Sequence, residues 1–233
     1  MAGVLGFSVA GEITAPYSKI ESWMYDFFVA PAIASFYDAM NAKLGLASAT
    51  GQELLDVGCG GGHLLVYAAG MRPDLRVTGL DLSREQVARA KRRLAHVSSR
   101  ASVRQGSVLD LPFADGSFDV VTSVGSIKHW PDQARGLAEC ARVLAPGGRL
   151  LIVEADRGCR LPDVDNLFSA TRFPRPFRLA FRAAFRLGVS GPSLDLDDLR
   201  SLAAGLPLES CHVYRMEGLP AVVLDGIKEP AAE

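Results

Sequence analysis

One run constrains this chain more than any other: Leu54-Leu55-Asp56-Val57-Gly58-Cys59-Gly60-Gly61-Gly62. Apolar residues flank an acid, and glycines then stand at alternate positions 58, 60 and 62. The pattern predicts a buried strand ending in a turn that only glycine permits. The stretch from His63 to Ala69 predicts a helix opening straight after it. Bare glycine backbone and the free N–H groups of a helix start let a ligand come close. Asp56 lies two residues before the first glycine, where a carboxylate disfavours a pyrophosphate and suits an ammonium or sulfonium.

A dinucleotide site would need G-x-G-x-x-G. Gly58 and Gly60 fit, but His63 occupies the third position. The pattern D-x-G-x-G-x-G instead resembles motif I of the class I S-adenosylmethionine (SAM)-dependent methyltransferases. Three further segments carry the resemblance. Arg76 to Ser83 is a β-rich run ending in Asp81, about 20 residues past the loop, where a carboxylate can accept both hydroxyls of a ribose. Ser83 predicts a helix N-cap with Gln86 as capping-box partner, and Val87, Ala90, Leu94 and Val97 give that helix an apolar face. The segment from Gly106 to Val121 resembles the family's adenine-covering stretch. The family usually has an acid after this glycine; here Ser107 offers an uncharged hydroxyl, Val108 a backbone N–H, and Asp110 stands nearby. Last, Ala134, Leu137, Ala141 and Leu144 predict a helical stripe, stopped by Pro146-Gly147-Gly148 ahead of a strand. The resemblance covers Leu54 to Glu154 and is only architectural beyond.

Strands are expected at 53–57, 76–81, 101–105, 118–123, 149–155, 208–217 and 220–228, alternating with helices until the last two. The implied fold is α/β, a Rossmann-like three-layer sandwich. Its seven-stranded sheet is mostly parallel and closes in a C-terminal antiparallel hairpin about Gly218-Leu219. Asp195 is the expected N-cap of the helix before that hairpin. An N-terminal helical cap (1–50) and a SAM-binding methyltransferase domain (51–233) with a helical insertion after strand five (157–191) complete the expected organisation.

The resemblance implies SAM as cofactor, with S-adenosyl-L-homocysteine as product. It places Asp56, Gly58, Gly60, Gly62, Asp81, Leu82, Ser107, Val108, Ser123 and Val124 around the cofactor. Tyr25 of the aromatic-rich stretch Tyr17 to Gly45 is carried over from a Tyr-Asp pair of the family. Methyl transfer is an in-line displacement that needs positioning more than catalytic groups. A base is required only when the acceptor must lose a proton. His129, in Ser123-Val124-Gly125-Ser126-Ile127-Lys128-His129-Trp130-Pro131-Asp132, is the candidate, as in the ubiquinone/menaquinone-biosynthesis type. Lys128 is expected to be solvated or paired with an acid.

The insertion holds seven Arg and no Lys against two acids, with Phe177-Arg178, Phe181-Arg182 and Phe185-Arg186 repeating every four residues. That pattern predicts a Phe stripe beside an Arg stripe on one helix. It suits docking on the core, a lid over an apolar acceptor, or contact of 177–186 with an anionic membrane surface. The net charge of −1 gives no signal for nucleic acid. Four cysteines without C-x-x-C or clustered His read as reduced thiols of a cytoplasmic protein, with no metal site. The N-terminus lacks the positive region of a signal peptide. The expected function is methylation of a small, partly apolar acceptor: quinone, phenolic, polyketide or lipid-like. The alternatives are a SAM-binding regulatory protein without catalysis and a nicotinamide-dependent oxidoreductase. Oligomeric state is not legible.

Overall fold

The computed structural model describes residues 36–38, 52–169, 182–183 and 185–230. The strands are β1 (Glu53–Val57), β2 (Arg76–Asp81), β3 (Ala101–Gln105), β4 (Phe118–Val124), β5 (Leu144–Ala155), β6 (Leu208–Arg215) and β7 (Ala221–Lys228). The main helices are α1 (His63–Met71), α2 (Arg84–Arg93), α3 (Gln133–Val143), α4 (Leu161–Ser169) and α5 (Leu196–Ala203). The strands form one sheet in the order β3-β2-β1-β4-β5-β7-β6, parallel except for β7, which runs antiparallel to both neighbours. This is the Rossmann-like arrangement the alternating pattern implied.

Side-chain alternation splits the sheet into two buried faces. Leu54, Val77, Val120, Leu151 and Val223 meet Leu64 and Leu65 of α1 and Val87 and Ala90 of α2. Leu55, Leu80, Val121, Ile152 and Leu224 meet Leu137 and Cys140 of α3 and Leu199 of α5. Local chemistry sets the helix starts. Ser83 Oγ accepts the Gln86 N–H, and Asp195 accepts from Asp197 and Asp198 in a reciprocal capping box.

Three expectations are corrected. β5 begins at Leu144, not 149, because extended backbone resumes as soon as α3 ends. Pro146-Gly147-Gly148 then sits inside the strand, where the register with β4 shifts. A Cβ on Gly148 would lie 2.8 Å from Ala145 O and 2.9 Å from Asp119 O, so the crossing tolerates only glycine. Ala134 is exposed; the buried face of α3 is Gly136, Leu137, Cys140, Ala141 and Val143. The closing hairpin turns through 216–220, with Gly218 at φ +75°, so the first strand ends at 215, not 217, and the second begins at 221, not 220. All four cysteines are free thiols, three of them buried. Among the described residues, no helix is long and apolar enough to cross a membrane.

Candidate active site

Strand order reverses between β1 and β4, and the crevice beyond their C-terminal ends is where open sheets of this kind bind ligands. The glycine loop lies there. Gly58 and Cys59 donate their N–H groups to Leu80 O at 2.8 and 3.0 Å, which lashes the loop to β2. Gly58, Gly60 and Gly62 all have positive φ, at +74°, +51° and +77°. Each glycine is needed for a different reason. A Cβ on Gly58 would fall 1.9 Å from Ser126 Oγ, and one on Gly62 would fall 2.9 Å from the Ala90 Cβ of α2. A Cβ on Gly60 would meet nothing within 4 Å, so this loop crest faces open space that a ligand can enter. The α1 N-terminus beside it carries no side-chain cap and no acid in its first turn.

Asp81 has a role in the glycine loop that sequence reasoning did not find. Its carboxylate accepts the Gly60 N–H at 2.8 Å through one oxygen and the Ser83 N–H at 2.9 Å through the other. It therefore shapes the loop and starts α2. A carboxylate has about four acceptor sites, so capacity remains for ribose hydroxyls. Leu82, next to it, is 66% exposed, unusual for a large apolar side chain within the domain.

Asp56 is 2% exposed on the face shared with Asp81. Burial first, and the Asp81 charge second, push its pKa up to about 8. No donor from the described residues offsets either cause. Burial first, then the charges of Asp56 and Asp81, raise the Cys59 thiol, so Cys59 is an inert core residue. Thr122, register partner of Asp56 on β4, and Ser123 on the opposite face each bury a hydroxyl with no partner among the described residues. Asp56 and Thr122 thus face the same side of the sheet, each without a partner among the described residues, where a bound group can complete the hydrogen bonding.

The loop from Gly106 to Phe113 is tied down from α3. Ser107 Oγ accepts the Leu109 N–H at 3.2 Å, so part of its acceptor capacity is used locally. Arg135 donates to Leu109 O, and Glu139 accepts the Leu111 N–H. Arg142 donates to Leu111 O and Phe113 O while pairing with Glu139 and Asp115. Val108 and Trp130 close on Gly136, where an added Cβ would come within 2.6 Å of the indole. Asp110 is exposed, and its N–H donates to Ser107 O at 3.4 Å.

After β4 the chain makes a short turn, Ile127–His129. Trp130 Nε1 donates to Ser126 Oγ at 3.0 Å, anchoring the turn against Gly58. His129 is exposed; partial desolvation, reinforced by Lys128 against the opposing Glu154, keeps its pKa below the ordinary 6.5. Lys128 is not solvated: it pairs with buried Glu154 at 3.2 Å. The structure thus gathers Asp56, the three loop glycines, Asp81, Leu82, Ser107, Val108, Ser123, Val124 and His129 along one edge of the sheet. Tyr25 and most of the cap lie outside the described residues, as do Phe177, Arg178 and Phe181. Of the insertion's arginines, Arg157, Arg160 and Arg182 are each paired with aspartates, which leaves less free positive charge than composition suggested.

The residues fit the cofactor that the sequence pattern implied. Among the described residues Asp56 is an acid without a donor, Gly60 faces open space, and Asp81 has spare acceptor sites. Residues 55–152 match the family described as methyltransferase domain. The chain is 41% identical over 104 residues to 27-O-demethylrifamycin SV methyltransferase of Amycolatopsis mediterranei, covering 44% of this chain and 38% of that one. It is 34% identical over 142 residues to demethylmenaquinone methyltransferase of Symbiobacterium thermophilum, covering 54% and 57%. The chain thus matches about half the length of such relatives or less. A solved putative SAM-dependent methyltransferase from Methanococcus maripaludis shares the fold, with TM-score 0.67 and 20% identity over 96% of this chain and 99% of that one.

Proposed function

We propose that this chain, whose residues 55–152 match the methyltransferase-domain family, transfers a methyl group from SAM to a small, partly apolar acceptor. When bound, SAM supplies an electrophilic methyl on a cationic sulfur. The protein's part is to hold, orient and dry the reacting groups. Asp56 carries the reading: a buried carboxylate without a donor among the described residues, beside a glycine loop open to solvent, is stabilised in its charged form by a cationic ligand.

Asp81 would accept the ribose hydroxyls while it keeps the loop in shape. Leu82 and Val108 would offer apolar surface to the base, and Ser107 its remaining hydrogen-bonding capacity. Ser123, with its hydroxyl unpaired, and Val124 line the end of β4. His129 would take the proton of an acidic acceptor hydroxyl; its lowered pKa keeps the imidazole neutral, and so able to accept, at physiological pH. The relatives' names support acceptors of the polyketide and quinone kind, and Leu161, Leu187 and Val189, exposed in the insertion, give it apolar surface for such a molecule.

Calorimetric titration with S-adenosylhomocysteine, with NAD as control, tests the cofactor. Micromolar binding of the first alone is expected. Binding of NAD alone would overturn the reading. A screen of demethylated quinones, phenols and macrolide hydroxyls then tests the acceptor class.

A further inference from the structure

Glu154 ends the buried part of β5 and is 1% exposed. A carboxylate taken out of water needs donors. It receives the Ala155 N–H at 2.7 Å, the Lys128 N–H at 3.3 Å and the Lys128 ammonium at 3.2 Å. An ammonium carries three donors, and Lys128 Nζ also reaches Val189 O at 3.5 Å. One side chain thus touches β5, carries the His129 turn, and meets the insertion.

The insertion is tied to the helix start at Asp195 and Asp198 through Arg157, and its described residues have a small core of their own. Cys159, Val164 and Phe168 form their own small core, with Phe185 packed edge-on to Phe168 at 5.7 Å. The segment Arg186–Ser190 forms a π-helical turn, a rare geometry that is frequent at functional sites. Apolar burial does not hold it: Leu187 is 78% exposed and Val189 37%, and only Ser190 is buried.

We propose that Lys128 and Glu154 are a positioning pair that holds the His129 turn and the 186–190 turn in one arrangement, so that the acceptor's lid and its base sit in register. This rests on the methyl-transfer reading of the site. The pair is not itself catalytic: it acts through His129 and through the lid. Its two charges also bear on the His129 ring in opposite senses, Lys128 against protonation and Glu154 for it.

Four variants test the proposal. K128M/E154M removes both charges together, which spares the fold the unpaired buried carboxylate left by K128M alone. K128R is the conservative rescue, and E154Q completes the set. S-adenosylhomocysteine affinity is expected to stay within about twofold in the double variant, because neither residue touches the glycine loop. Amide exchange across 186–191 should quicken by about tenfold or more in the double variant and return toward normal in K128R. The acceptor KM should rise about fivefold or more, with a smaller fall in kcat. The His129 imidazole, followed by NMR, should titrate higher in K128M and lower in E154Q. Unchanged exchange at 186–191 in the double variant, or His129 shifts of one sign in both single variants, would overturn the positioning role. Failure of the unmodified chain to bind S-adenosylhomocysteine would instead sink the methyl-transfer reading while leaving the exchange result to stand.

Discussion

Replacing Asp56 by Asn should raise the stability of the ligand-free protein and weaken its cofactor site at once. The carboxyl's pKa is displaced from 3.8 to about 8 by burial and by Asp81. Its pKa is higher folded than unfolded, so the stability from holding the proton is complete below about pH 4 and lost as pH rises to about 8. Between pH 5 and pH 8 the folded chain carries a proton here that the unfolded chain lacks. Each pH unit therefore removes about 1.4 kcal/mol, or about 4 kcal/mol across the window. Asn has no such proton, and its buried amide costs about 1–3 kcal/mol independent of pH. Urea unfolding of both proteins at pH 5, 6.5 and 8 should show the difference moving by about 4 kcal/mol in favour of Asn. Calorimetry at pH 7.5 should show the variant binding S-adenosylhomocysteine at least about tenfold more weakly, since the acid facing the ligand's ammonium is gone. Parallel stability curves would refute the burial argument. A variant that binds the ligand as tightly as the unmodified chain would refute the placement of Asp56 in the site.

Gly58→Ala and Gly60→Ala should separate fold from site. Both incur about 1–2 kcal/mol of left-handed strain. The first also drives a methyl into Ser126 and should melt well below the parent, whereas the second, with open space at its Cβ, should fold and lose ligand affinity by about tenfold or more. Arg142→Ala frees the 111–115 loop from α3 and should cost about 2 kcal/mol in urea unfolding; no loss would mean the loop is held without it. His129→Ala should lower kcat by about 10²–10⁴-fold with a phenolic acceptor and remove the acid limb of the pH–rate profile. In the parent that limb should be complete by neutral pH, because the imidazole's pKa is below the ordinary 6.5; an unchanged profile would exclude His129 as the base.

Much of the fold was legible along the chain because it rests on local chemistry. The β1 run, the glycine turn, the caps at Ser83 and Asp195, and the terminal hairpin each follow from periodicity or from a residue's own conformational preferences. Boundaries failed where two segments share the decision. β5 starts early because β4 accepts Leu144 across a bulge, and Ala134 is exposed because Gly136 and Cys140 supply the tighter helix contact.

The sequence by itself determined that a cleft with a flexible glycine crest and two acids would form at the end of β1 and β2, since spacing alone brings those groups together. Only the tertiary structure decided what the acids experience. Asp56 is raised because the core and Asp81 surround it, and Asp81 is already engaged by the loop. Lys128 pairs with Glu154 of β5, and His129 takes its lowered proton affinity first from partial burial and then from these two charges. These are properties of solvent exclusion and of charges brought together across the fold, and neither is a function of distance along the chain.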